Sequence, residues 1–203
     1  MKSEDGWTKW SKEEQLRYFR ELKPYMIASV LLIIAGAIFG YASSTYAPEV
    51  AATRTEALKE FTRLFRGLPK PFLALVIFLN NGLKTLAVIA FGTFAGILPL
   101  IFLLANGYVL GLVLHASLES KGLLVFLLAI APHGLFELPA ILLGTSIGLM
   151  LGAHAIQRMF GREEKAMGRE AARGLRFFVA VIVPILLLAA LIETFITSVA
   201  VAK

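Results

Sequence analysis

"PFLALVIFLNNGLKTLAVIAFGTFAGILPLIFLLANGYVLGLVLHAS" occupies residues 71–117, and Lys84 is its single Lys, Arg, Asp or Glu. Continued to residue 118 as one helix it would be ~72 Å long, while the hydrocarbon core of a bilayer is ~30 Å thick. The stretch must therefore fold back on itself as two crossings, with the turn expected near "FGTFAGILP" at 91–99. A chain that holds two such crossings in one uninterrupted apolar block is a polytopic membrane protein.

The flanking sequence repeats the pattern. Between Gly122 and Gln157 the only charged residue is Glu137. The block at 121–157 would be ~55 Å as one helix, too long for one crossing and short for two. A break is expected at Pro132, which leaves a broken or re-entrant segment near 121–133 and a span at 133–157. A final span is expected at 174–201 and a first one, "PYMIASVLLIIAGAIFGYASSTY", at 24–46. With 71–91 and 95–118 these make about five transmembrane helices in a single membrane domain, 24–203. Composition agrees: the 203 residues are 58% hydrophobic and 17% charged, against about 45–50% and about 25% in soluble domains.

Two amphipathic helices are expected outside the hydrocarbon. In 1–23, Ser11 and Glu14 form a capping box, and Leu16, Phe19 and Leu22 recur at helical spacing behind Trp7 and Trp10. Such a helix either lies in the headgroup region or packs on the membrane domain. The second, 48–66, starts at Pro48 and Glu49 and gathers Ala57, Leu58, Phe61, Leu64 and Phe65 on one face. The first 23 residues are too charged for a cleavable signal, so the first apolar run is expected to stay as an anchor.

Lys and Arg placement orients the chain. The N-terminal tail carries six, the segment 158–176 six, and 45–70 five with three glutamates interspersed. The expectation is a cytoplasmic N-terminus, a cytosolic basic loop at 158–173, an external 48–66 helix and an external C-terminus, in the cell membrane. The net charge of +6 is thus a topology signal, and no nucleic-acid partner is expected. The chain has no cysteine, which excludes disulfides, thiolate metal sites and Cys nucleophiles.

Glycines recur four residues apart at Gly36/Gly40, Gly92/Gly96, Gly107/Gly111 and Gly144/Gly148/Gly152. That spacing strips side-chain bulk from one helix face and lets backbones approach, within the chain or across a homodimer seam.

The polar residues of the apolar blocks are Asn80, Asn81, Lys84, Asn106, His133, Glu137, Glu193 and Thr197. An ionised carboxylate in hydrocarbon costs several kcal/mol, ~2.5 upward, so it normally faces protein or water. His133 and Glu137 share a helix face, fenced by Pro132 and Pro139. Counting from the ends of the two spans, Glu137 and Glu193 fall ~30 and ~28 Å from the inner boundary, at similar height. Three readings remain: an ion- or proton-binding cluster, mutual satisfaction as packing glue, or carboxylates wetted at the interface. His133 and Glu137 are weak candidates for a metal, since a catalytic zinc needs three protein ligands. No His-Glu-x-x-His motif is present and no nucleophile–base pair is apparent, so an enzyme is not expected. No cofactor is indicated.

The segments "NNG" at 80–82, "NGYVLG" at 106–111, "PHGLFELPA" at 132–140 and "LIETFIT" at 191–197 resemble the stage II sporulation protein M family of polytopic membrane proteins. The resemblance covers roughly 71–200 and carries Asn80, Asn81, Asn106, Gly107, Pro132, His133, Gly134, Glu137 and Glu193 over as signature positions. It implies a membrane component of a larger complex: the namesake works beside peptidoglycan-degrading partners during engulfment, and other relatives look like companions of transport or ATPase systems. The sporulation role itself is not carried over. The expectation is a transporter- or channel-like protein whose polar cluster binds a cation, proton or small polar solute. The alternative is a non-catalytic scaffold that assembles an envelope or transport complex in the lipid bilayer.

Overall fold

The computed structural model describes residues 11–63, 67–120, 122–162 and 166–197, with side chains at 57–59, 61–63, 125, 128–135 and 196–197 outside the description. Every regular element described is a helix: α1 Lys12–Tyr46, α2 Pro48–Arg63, α3 Lys70–Ala90, α4 Ile97–Ser120, α5 Leu123–Met159, α6 Met167–Phe177 and α7 Val183–Ile192. Two π-helical segments, Phe178–Ile182 and Glu193–Thr197, continue α6 into α7 and extend α7, so residues 167–197 form one rod. Five helical stretches are long and apolar enough to cross a membrane: Lys12–Tyr46, Lys70–Thr93, Ile97–Ser120, Phe136–Met159 and Met167–Phe195. The protein is an all-α membrane protein.

α1 begins with the expected capping box. The Ser11 hydroxyl accepts from the Glu14 N–H at 3.2 Å, and the Ser11 N–H donates to the Glu14 carboxylate at 2.9 Å. That backbone bond, with a further one from the Ser11 hydroxyl, holds the Glu14 carboxyl below its ordinary value. The amphipathic N-terminal stretch and the first span are a single helix that passes through Pro24 without ending. Of the expected stripe Leu22 is fully buried, together with Tyr18, whereas Leu16 and Phe19 are 58% and 42% exposed. Tyr18 packs its ring 5.3 Å from that of Phe177, and this contact with α6 selects the face.

The turn expected at 91–99 is present as a 3₁₀ turn, Phe91–Thr93, followed by Ala95 and Gly96 in the left-handed region at φ 54° and 71°. The break expected at Pro132 is not. α5 runs unbroken from Leu123 to Met159 through both Pro132 and Pro139, so the described residues 123–133 are continuous helix and not a broken or re-entrant segment. A proline deletes one backbone hydrogen bond, whereas unwinding the helix in an apolar setting strands several; continuing the helix is the cheaper arrangement.

Glycine sets how the helices meet. α1 packs most extensively on α4. A Cβ added to Gly36 would lie 3.1 Å from Gly107 Cα and nearer still to the Leu104 carbonyl oxygen. One on Gly40 would lie 2.8 Å from the Tyr108 carbonyl carbon, and one on Gly111 2.7 Å from the Tyr41 N. The second glycine set seats the 91–96 turn on α5. An added Cβ would lie 2.5 Å from Gly148 Cα if placed on Gly92, and 2.5 Å from Gly96 Cα if placed on Gly152. Gly144 meets the Thr85 methyl of α3, and Gly148 also faces the Val88 carbonyl and Pro99. All nine of the glycines singled out by spacing are therefore used within one chain.

Gly107→Leu or Gly36→Leu must push α1 and α4 apart, and overpacking of this kind costs about 1–3 kcal/mol. Thermal unfolding of the detergent-purified protein is expected at a clearly lower temperature for either variant. Gly82→Ala, which meets nothing within 4 Å, is expected to unfold with the native protein.

Candidate functional site

α5 is the hub of the second half of the bundle, packed against both α3 and the α6–α7 rod. Three apolar stripes converge there. On α3 the stripe is Ala74, Thr85, Val88 and Ile89; on α5 it includes Ala140, Ile141, Gly144 and Gly148; on the rod it is Ile182, Leu186, Ala189 and Ala190. Helical spacing continues each stripe onto a polar residue. Asn81 lies four residues before Thr85, Glu137 four before Ile141, and Glu193 four after Ala189. Asn80, Asn81, Glu137 and Glu193 are all half-buried, and neither carboxylate is without a partner. The Asn80 amide donates to the Asn81 side-chain oxygen at 3.2 Å.

Height along this seam follows from one contact, since a Cβ on Gly174 would touch Ile147 at 2.6 Å and Ile89 at 3.8 Å. From that level, Asn81 is eight residues up α3 (89 to 81) and Glu137 ten up α5 (147 to 137), or ~12 and ~15 Å. Glu193 is nineteen residues up the rod (174 to 193), ~28 Å less a little for the two π segments. The side chains therefore form a ladder. Asn80, Asn81 and Glu137 share one rung, and Glu193 stands beyond them, by ~13 Å counted from the contact of Gly174 with Ile147 and by ~6 Å counted from that of Ile182 with Gly144. This corrects the similar heights expected for the two carboxylates. Counting from the span ends assumed that 157 and 174 are level, but the hairpin sets 147 against 174.

Thr85 adds a lower rung one turn below Asn81. It is 2% exposed and its hydroxyl has no hydrogen-bond partner among the described residues. Thr194 is likewise buried, at 1%, beside Glu193 at the start of the Glu193–Thr197 π segment. A π turn inside an α-helix widens the backbone and often marks a functional position.

Two expected members stand outside the seam. Lys84 is exposed, one residue and so ~100° around the helix from Thr85. Asn106 is exposed on α4, where its amide donates to the Phe102 carbonyl of its own helix at 2.7 Å. The His133 and Thr197 side chains lie outside the described residues, so the metal pairing of His133 with Glu137 does too. Among the described residues, no three His, Asp or Glu side chains gather as a metal-ligand group.

Sequence reasoning missed two polar clusters. Between α1 and α5, the Ser29 hydroxyl lies 3.3 Å from that of Ser146, and the Thr145 hydroxyl donates to it at 3.4 Å. All three residues are buried. Between α1 and α6, the Arg173 guanidinium reaches Glu170 at 2.9 and 3.2 Å and Glu21 at 3.0 and 3.2 Å. Its carbon sits 4.9 Å from the centre of the Tyr18 ring. Glu170 is 6% exposed. Two carboxylates and an aromatic face around one planar fork are a geometry that arginine satisfies and lysine does not. The Glu170–Arg173 spacing was readable as a helical pair, but its burial and Glu21 come from 152 residues away in sequence.

With this geometry in place, comparison with known proteins is decisive for the family. The family model of stage II sporulation protein M matches residues 29–198. The chain belongs to that family. An uncharacterized protein of Methanocaldococcus jannaschii is similar to it, 24% identical over 178 residues that cover 87% of this chain and 95% of that one. No solved structure matches. In this stage II sporulation protein M family member the matched region takes in all of α2 to α5, all rungs of the ladder, and α1 from Ser29 onward, but leaves out Tyr18 and Glu21.

Breaking the Arg173 clamp strands Glu170 in a buried position, which costs several kcal/mol when no water can reach it and less here because the Arg173 side chain is 27% exposed and its removal lets water in. Arg173→Ala is expected to lower stability by about 2 kcal/mol, and Arg173→Lys by less. In a double-mutant cycle with Glu170→Gln, measured by thermal unfolding, the two losses are expected to be non-additive.

Proposed function

We propose that this protein is a transporter- or channel-like membrane component that takes a proton or small cation along the α3–α5–α7 seam. The supporting observation is the ladder: Glu193, Glu137 with Asn80 and Asn81, and Thr85 occupy successive levels on three stripes that face one another. Carboxylates kept half-buried within apolar helices are a costly arrangement that suits reversible charge binding. Separation by one to two turns suits stepwise passage between single-carboxylate sites rather than one proton shared by a pair. In this reading Glu193 is the outer station, consistent with a cytoplasmic N-terminus and an external C-terminus, and the protein is not an enzyme.

A second reading, an assembly scaffold, is supported by a separate observation. Leu16 and Phe19 are exposed on the charged N-terminal turns of α1, where a partner in an envelope or transport complex would dock. Leu16→Ser with Phe19→Ser is then expected to lose any partner that co-purifies with the native protein.

The leading proposal is tested by flux in liposomes under a proton or sodium gradient. Glu137→Gln and Glu193→Gln, each confirmed to be folded, are expected to cut flux by about tenfold or more. Native-level flux in both variants, or no flux from the native protein, would defeat it.

A further inference from the structure

Away from the seam, a cavity of about 610 Å³ opens where α1, α2 and α4 meet. Phe39 and Ser43 come from α1, Arg54 from α2, and Ala105, Tyr108 and Val109 from α4. Its walls are almost wholly apolar, and the polar groups are confined to Arg54 and a hydroxyl pair, Ser43 and Tyr108, 3.0 Å apart. The Phe39 ring stacks 5.6 Å from that of Tyr108 and shapes the wall between them.

Chemistry and location together narrow the occupant. Arg54 lies on the charged helix that follows α1, eight residues past Tyr46 where the apolar run ends, whereas Phe39 and Val109 lie within the apolar runs of α1 and α4. Of the two hydrogens on the Ser43–Tyr108 pair, one closes the bond between them and the other remains to donate outward. An arginine and a hydroxyl donor at headgroup depth, above an apolar slot open to the bilayer, match a molecule with an anionic phosphate head and a hydrocarbon tail. The size lies within the usual range for small-molecule sites, about 300–1,000 Å³.

We propose that this cavity is a binding site for one anionic phospholipid, with its phosphate on Arg54 and the Ser43–Tyr108 hydroxyls and an acyl chain between α1 and α4. The site is independent of the polar seam. It lies beside the glycine contact of Gly40 with Tyr108, so the lipid braces the point where α1 and α4 touch backbone to backbone.

The test is native mass spectrometry and thermal unfolding of the purified full chain with phosphatidylglycerol, phosphatidylcholine or inorganic phosphate added. Phosphatidylglycerol is expected to stay bound and to raise the unfolding temperature, with phosphatidylcholine doing so weakly and phosphate not at all. Arg54→Gln, a surface change that leaves helix packing intact, is expected to weaken phosphatidylglycerol binding about fivefold. Ala105→Trp, which fills the slot from an exposed position, is expected to expel both lipids. Equal binding of phosphatidylglycerol by the native protein and Arg54→Gln would overturn the proposal. So would a shift reproduced by phosphate alone, or an Ala105→Trp variant that loses a homodimer while retaining the lipid.

Discussion

Where two helices meet inside a bilayer, neither gains by hiding from lipid, because lipid is as apolar as they are. Contact has to come from closeness, and in this protein closeness is provided by glycine. Gly36 and Gly40 on α1 lie against the backbone of α4, and Gly107 and Gly111 return the contact. Gly92 and Gly96 do the same with Gly148 and Gly152. The first set joins α1 to α4; the second holds the α3–α4 turn on α5. These two seams define the spacing within which every other side chain must fit.

Once backbone spacing is set, three polar systems among the described residues face different demands. The Ser29–Thr145–Ser146 hydroxyls join α1 to α5 and also bond carbonyls of their own helix. They are satisfied. The Arg173 clamp is satisfied as well, but it carries charge and couples the N-terminal turns of α1 to α6. The ladder on α3, α5 and α7 differs from both. Its carboxylates are only partly withdrawn from solvent and the Thr85 hydroxyl below them has no hydrogen-bond partner among the described residues. A buried hydroxyl without a hydrogen-bond partner among the described residues, set below two half-buried carboxylates, is a natural place to look for a passing ligand.

The two prolines of "PHGLFELPA" illustrate how local and global demands differ. Locally each disfavours a helix; in an apolar environment the alternative is worse, because exposed peptide groups have nothing to bond. The helix continues through both. The widened backbone turns occur instead in the last rod, at Phe178–Ile182 just before Pro184 and at Glu193–Thr197. The second of these begins on an acidic residue within an apolar helix.

Much was legible from the residues alone. Long apolar blocks with few charges mark an all-α membrane protein, and their lengths against the bilayer thickness give about five spans, which matches the five helices long and apolar enough to cross. The capping box at Ser11, the turn at 91–99 and the glycine pairs were likewise local signals with local causes. What tertiary structure decided was register and facing. The hairpin between α5 and the last rod places 147 opposite 174, and that offset alone separates Glu137 from Glu193. The packing of α1 on α6 buried Tyr18 beside the expected Leu22, left Leu16 and Phe19 exposed, and brought Glu21 to Arg173. Asn106 and Lys84 are as polar as Asn81, yet point away from the seam. A helical sequence specifies which residues share a face; which face meets which neighbour, and at what height, depends on how far two helices slide before their glycines interlock.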